Sequence, residues 1–250
     1  VYVLARLVGP AGHVIGIDMT PAQLDVARRH VDYHRARFGY ARSNVEFVAG
    51  YIEDLAAAGI ASDSIDLVVS NCVMNLSPDK PRAFAEIFRV LKPGGELYFS
   101  DVYADRRIPA ALREDPVLFG ECLSGALYVE DFRRLMASVG CADFRVIARS
   151  AITLADDDVR RKIGTVNFSS VTVRAFKLAL EDRCEDYGQT ASYLGSIPGH
   201  PEHFVLDDHH RFERGTPVPV CGNTADMLSK TWYRAHFDVR GDQQVHRGLF

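Results

Sequence analysis

Apolar positions recur along the chain in two alternating periods. Val1, Leu4 and Val8 fall at helical spacing before Gly9-Pro10-Ala11-Gly12 interrupts them, which predicts the last two turns of a helix. The run HVIGID that follows is short and β-branched and predicts a strand ending at Asp18. Thr20-Pro21 then supplies an N-cap and first turn for a helix expected to reach about residue 37. The alternation continues with a strand over 44–50 (NVEFVAG), a short helix in IEDLAAAG, and a nearly all-apolar strand over 64–71 (SIDLVVSN) of the kind buried on both faces. Pro81 opens a helix with Phe84, Ile87, Phe88 and Leu91 on one face, and Lys92-Pro93-Gly94-Gly95 stops it before the strand ELYFSDV. A helix over 129–139 and a strand over 144–148 complete a pattern that predicts an α/β, Rossmann-like, doubly wound domain, parallel at its centre, over residues 1–150.

Past Thr153 the character changes. Acidic LADDDVRRK is followed by NFSSVTVRAFKL, with alternating apolar positions, and then by a His- and Pro-rich tract over 198–219, so residues 151–250 read as a second, smaller α+β region. In dinucleotide-type α/β folds an acidic residue at the end of the second strand accepts hydrogen bonds from ribose hydroxyls and follows a glycine-rich turn by about 20 residues. Counting back from Asp18 by that spacing passes the start of the chain, so the first strand and the glycine loop are expected to be missing from this sequence.

Composition narrows the functional classes. With 47% hydrophobic and 25% charged residues in 250, the chain is of soluble globular type, and its 29 basic against 33 acidic residues form no basic block, which argues against nucleic acid or an anionic membrane as partner. No apolar stretch approaches the ~18 residues of a membrane span, and the start lacks the features of a signal peptide, so a cytoplasmic location is expected. Five cysteines, an odd number without a CxxC, suit neither a disulfide framework nor a structural zinc ribbon; they are thiols kept for chemistry or simply buried. No HExxH and no GxSxG is present, and the pair His209-His210 reads as solvated loop.

In open α/β sheets, ligands sit beyond the carboxyl ends of the strands. Asp18, Gly50-Tyr51-Ile52-Glu53 and Ser70-Asn71-Cys72 all fall at such ends. Glu53 is placed to accept from an adenine amino group with Ile52 against the ring, or else to cap the short helix that follows. Cys72, flanked by Asn71 and Asn75, opens into the cleft, where a thiol meets whatever binds. Cys122 lies in FGECLSGALY, where Gly120, Gly125 and Ala126 leave room for close approach by a ligand or another backbone. Cys141 reads as core, Cys184 lies in a charged loop, and Cys221 follows Pro-Val-Pro-Val.

At GHVIGIDMT, SNVEFVAGYIEDL, SNCVMNLSPDK, FRVLKPGGELYFSDVYADRRIP, FGECLSGALY, KIGTVNFSSVTVRAFKL and PVPVCGNTADML the chain resembles the arsenite methyltransferases of the S-adenosylmethionine-dependent class I family. LKPGGELYFSDV alone is a general methyltransferase signature; the cysteines of SNCVMNL and GECLSGAL are specific to the arsenic enzymes. The resemblance implies that Asp18 and Met19 contact the ribose and adenine of the methyl donor, that Tyr51, Ile52 and Glu53 line its adenine side and Asn71 its floor, and that Cys72 and Cys122 bind trivalent arsenic. The family's upstream third cysteine has no counterpart among these residues. The chemistry follows from ligand softness: arsenic(III) chooses thiolates over imidazole or carboxylate, and its free lone pair attacks the sulfonium methyl in line without a general base. Because methyl transfer oxidises arsenic, a thiol reductant such as glutathione or thioredoxin is implied, with one of the two cysteines in the redox cycle. The reading is of a monomeric enzyme acting on arsenite and its thiol conjugates. Two other readings stay open on the residues alone: a methyltransferase for a small organic acceptor, and a thiol-based metalloid-binding protein without catalysis.

Overall fold

Thr20 stands extended ahead of Pro21, whose fixed φ suits a first helical turn, and Gly39 takes a left-handed φ of 73°; between them lie two helices. A computed structural model describes residues 1–113, 115–120 and 122–250, and the chain divides into two units, Val1–Ala61 and Ser62–Phe250. The first unit runs α1 (Tyr2–Val8), β1 (Val14–Asp18), α2 (Pro21–Arg29), α3 (Val31–Phe38) and β2 (Val45–Ala49). The single helix expected to residue 37 is therefore two, because the His30 N–H turns back on the Ala27 and Arg28 carbonyls. β1 and β2 pair in parallel, Val14 opposite Val45 through Asp18 opposite Ala49. Asn44, buried, donates to the carbonyls of Ala5 and Gly9 and so fixes the end of α1 to the start of β2. Residues 52–59 do not form the expected short helix: Asp54 Oδ1 caps Ala57 N at 3.0 Å, but the single turn ends at Gly59, whose φ is 82°.

The second unit contains β3 (Ile65–Asn71), α4 (Lys80–Val90), β4 (Leu91–Ala104), α5 (Ala110–Arg113), α6 (Pro116–Gly120), β5 (Leu127–Tyr128), α7 (Val129–Ser138), β6 (Phe144–Ala151), α8 (Asp157–Ile163) and β7 (Phe168–Phe176). It continues with β8 (Gln189–Tyr193), β9 (His203–Val205), β10 (Arg211–Glu213), β11 (Pro217–Val220), α9 (Gly222–Ser229) and β12 (Phe237–Arg240). One sheet has the order β3-β4-β7-β6, with β5 beside β4. β3 and β4 are parallel, whereas β7 is antiparallel to both β4 and β6, so the sheet is mixed. The expectation that the alternating run around Phe168–Phe176 belongs to the C-terminal region is corrected: β7 lies between β4 and β6. β3 is also not buried on both faces, since it is an edge strand of this sheet and Leu67 and Val69 are 44% and 42% exposed.

Lys92-Pro93-Gly94-Gly95 does not end one element and begin another. It bulges out of β4, so that Ile65 pairs with Leu91 and Leu67 with Glu96. Gly94 is required there: at φ 79° a Cβ would lie 2.7 Å from the Lys230 carbonyl oxygen. Against β4 pack Phe84 and Ile87 of α4, and Phe84, Phe99, Tyr103, Phe132 and Phe144 form a chain of ring contacts with centroids 4.9–5.7 Å apart. A second core lies between α9 and the antiparallel sheet β11-β8-β12, built on Phe176, Tyr193, Phe204, Phe212 and Tyr233. Among the described residues no helix is long and apolar enough to cross a membrane.

Phe132 is the hub of the first ring cluster and is 1% exposed. Phe132→Ala is expected to lower unfolding free energy by about 3–5 kcal/mol, read as a reduced urea midpoint at unchanged slope.

Candidate functional site

In the first unit the carboxyl ends of β1 and β2 lie side by side, joined past the ladder by Gly50 N to the Asp18 carbonyl at 3.1 Å. Asp18 is held as an acceptor beside a turn by Thr20 N on Oδ1 at 2.8 Å. Met19 is 65% exposed and Tyr51 62%, large apolar and aromatic surfaces left open around a carboxylate, with Ile52 and Glu53 half-buried next to them. A carboxylate flanked by open flat surfaces at adjacent parallel strand ends fits a ribose and a purine: the carboxylate takes two hydroxyls and the side chains cover a ring. The structure thus brings Asp18, Met19, Tyr51, Ile52 and Glu53 to one end of one unit. A cavity of about 410 Å³ lined by Arg6, Arg37, Phe38 and Tyr40 lies at the amino ends of the same strands.

In the second unit the chain leaves β3 at Asn71 and turns at once. Cys72 adopts φ 53°, and its N–H donates to the Ser100 carbonyl of β4 at 2.9 Å. Its thiol is exposed and faces Asn71 Oδ1 at 3.7 Å. Cys122 adopts φ 59° in the turn after α6. Only three non-glycine residues among those described have positive φ, and two of them are these cysteines. A left-handed backbone costs a residue with a Cβ free energy, and such strain persists where the surroundings dictate it and collects at functional sites.

The surroundings are on the page. Asp101, 2% exposed in β4, accepts Asn75 N at 3.1 Å, Val102 N at 2.8 Å and the Met74 N–H, and so ties the turn after Cys72 to the sheet. Asn75, 3% exposed, adds Nδ2 to the Val102 carbonyl at 2.6 Å. Its own carbonyl oxygen lies where a Cβ on Gly125 would come within 2.1 Å, so the turn that carries Cys122 packs directly on the turn that follows Cys72. The room that the glycine leaves is used by another backbone. The environment of Gly120 and the Glu121 that precedes Cys122 lie outside the described residues. Ser124 Oγ in the same turn is buried without a hydrogen-bond partner among the described residues.

Burial, and after it the Asp101 carboxylate, raises the Cys72 thiol above its usual pKa. Asp101 is itself raised, by burial first, against the backbone donors and Lys80 that favour its charge. Cys72 therefore keeps its proton at neutral pH. Among the described residues no group of three or more His, Cys, Asp or Glu side chains converges as a metal cluster. Asp101 escaped the sequence reading; its signal is a lone carboxylate closing the otherwise apolar strand LYFSD.

Comparison with known proteins follows this geometry. Residues 1–140 match the family model described as a methyltransferase domain, and 187–248 match the arsenite methyltransferase C-terminal domain. An arsenite methyltransferase of Aquipseudomonas alcaligenes is 55% identical over the whole chain and is 72% covered by it; a human arsenite methyltransferase is 43% identical over 242 residues, with 63% of its length covered. The chain therefore spans about two thirds of the length of such relatives. The crystal structure of an arsenic(III) S-adenosylmethionine methyltransferase from Chlamydomonas reinhardtii superposes with a TM-score of 0.96 at 52% identity, covering all of this chain and 84% of that one.

Asp101→Asn removes the like charge that raises Cys72. The pH profile of Cys72 alkylation, followed on its peptide by mass spectrometry, is expected to move to lower pH in that variant, with faster labelling at neutral pH. An unmoved profile would show that Asp101 does not act on the thiol.

Proposed function

The chain belongs to the arsenite methyltransferase family, and from that premise we propose that it transfers methyl groups from S-adenosylmethionine to arsenite held by Cys72 and Cys122. The observation that carries the reading is the left-handed conformation of both cysteines, in turns that meet at Asn75 and Gly125. Each thiol displaces one hydroxide from arsenous acid. Each thiol's proton goes to the departing hydroxide as water, and a raised Cys72 suits the exchange: it brings the proton that the leaving group needs. Two thiolates and one remaining oxygen then hold arsenic with its lone pair free. Preference for sulfur follows from softness.

In the first unit Asp18 takes the ribose hydroxyls of the donor, and Met19, Tyr51, Ile52 and Glu53 take the adenine; in the second, Asn71 beside Cys72 contributes to donor recognition. When bound, S-adenosylmethionine supplies an electrophilic methyl carbon on a sulfonium. The protein's contribution is orientation rather than proton transfer, because the arsenic lone pair needs no deprotonation. A thiol reductant of the glutathione or thioredoxin class returns the oxidised arsenic to the trivalent state.

The test incubates the chain with arsenite, S-adenosylmethionine and glutathione, and identifies arsenic species in solution and on the protein. Methylated arsenic is expected from the parent, with roughly a 100-fold loss of rate in Cys72→Ser or Cys122→Ser, since one thiol no longer orients the ion. Bound but unmethylated arsenite would favour a metalloid-binding protein, and binding that ignores both cysteines would overturn the assignment. Gly125→Ala keeps both thiols but drives a Cβ into the Asn75 carbonyl, and is expected to weaken arsenite binding roughly tenfold, about 1.4 kcal/mol, in equilibrium dialysis.

A further inference from the structure

Two cysteines that the methylation chemistry does not use come together in the C-terminal part of the second unit. Cys184 follows β7 on a long connection, and Cys221 is the residue before the first turn of α9; the backbone joins their segments, Gly222 N donating to the Glu185 carbonyl at 2.9 Å. The two side chains are neighbours close enough to shift one another's titration. Cys221 is fully buried and Cys184 half-exposed.

The sulfur of Cys221 is surrounded by donors. Thr224 Oγ1 lies at 3.3 Å, the Thr224 N–H of the first turn of α9 also points to it, and Arg145 Nη2 lies at 3.9 Å. Arg145 is a buried guanidinium shared with Asp143 at 2.7 Å and Asp207 at 3.5 Å, and its Nε has no partner among the described residues. His210 closes the network, with Nδ1 on Asp207 at 2.8 Å and Nε2 at 3.4 Å from the Thr224 hydroxyl. The Cys184 thiol, then Thr224 and Arg145, lower the Cys221 pKa against its burial, and the neighbouring Cys221 raises that of Cys184. The surroundings thus favour negative charge on Cys221 over Cys184.

We propose that Cys184 and Cys221 form a thiol–disulfide exchange site, which takes small-molecule disulfides of the glutathione class through the half-exposed Cys184 and closes to an internal disulfide. Cys221 accepts the proton of the neighbouring Cys184, and Cys184 attacks the external disulfide, forming a mixed disulfide and releasing one small thiolate. That thiolate takes the proton from Cys221. The Cys221 thiolate then attacks the Cys184 sulfur and expels the second small thiolate. In sum, one protein thiol and one protein thiolate become a disulfide, while the small disulfide becomes one thiol and one thiolate; two electrons pass, and protons and charge balance.

The site is independent of arsenite and of the methyl donor, so its test uses neither. The whole chain is equilibrated with glutathione at increasing ratios of oxidised to reduced form, blocked by alkylation and mapped without reduction. The expected result is a loss of two alkylatable thiols and a peptide pair joining Cys184 to Cys221, formed at ratios that leave Cys141 free. Cys221→Ser is expected to trap glutathione on Cys184. Cys184→Ser, a change at the more exposed position, is expected to leave Cys221 reduced, because a small disulfide cannot reach it. Cys184 and Cys221 both recovered as free thiols at every ratio, or either one joined to Cys72 or Cys122 instead, would overturn the proposal.

Discussion

The turns that carry Cys72 and Cys122 depend on one buried carboxylate. Asp101 sits in β4 at 2% exposure and gathers the N–H groups of Met74, Asn75 and Val102, so a charge that burial disfavours is kept by three backbone dipoles. Those bonds fix the turn after Cys72 to the sheet, and the Cys72 N–H adds its own bond to Ser100. Once the turn is fixed, the Asn75 carbonyl offers a surface on which only a glycine can pack, and Gly125 brings the Cys122 turn with it. A strained backbone at two cysteines is the consequence of that anchoring. The Cys122 turn adds bonds of its own, Cys122 N to the Phe119 carbonyl at 3.0 Å and Leu123 N to the Leu118 carbonyl at 2.9 Å.

The same logic shows why some of this was legible in sequence and some was not. β1 ending in Asp18 and β2 running into Gly50-Tyr51-Ile52-Glu53 were readable because β-branched runs bounded by turn residues identify both a strand and its carboxyl end. The break at His30 and the missing helix over 52–59 were not, since each depends on a few competing backbone hydrogen bonds that leave little mark on composition. β7 was read as a strand but assigned to the wrong region, because periodicity says nothing about which neighbour a strand pairs with. Cys72 and Cys122 were singled out by their position and by family resemblance. Their shared left-handed backbone, and the role of Asp101, required the fold.

Long-range ties hold the C-terminal core to the mixed sheet. Glu96 of β4 accepts Arg174 Nε of β7 at 2.7 Å and Trp232 Nε1 at 3.0 Å, while Arg174 Nη1 reaches the Leu206 carbonyl at 2.6 Å. Both charged groups are buried, so the pair is costly to break from one side even though it adds little net stability when intact. Its value lies in register: the carboxylate and the guanidinium are satisfied together only when β4, β7, the Leu206 segment and the Trp232 turn are all in place. The Gly94 bulge, packed under the Lys230 carbonyl, imposes the same alignment from the backbone side.

Softness by itself does not choose among five cysteines, because every thiol here has the same intrinsic affinity for a thiophilic ion. Their surroundings separate them. Cys141 is buried and pushed up to about 12, first by desolvation and then by Asp143, which leaves it inert packing. Cys221 lies in a ring of donors that favours the thiolate, but it is fully buried and already hydrogen-bonded within the fold. Cys72 is exposed, keeps its proton, and projects from a turn whose backbone is dictated from below. A thiol that must exchange with a neutral hydroxide-bearing molecule needs access and a proton to give away, whereas a thiol that must attack a disulfide needs a neighbour to take its proton. An exposed thiol that keeps its proton stands at the end of β3 and a buried sulfur beside a second thiol at the start of α9, so environment rather than residue type separates them.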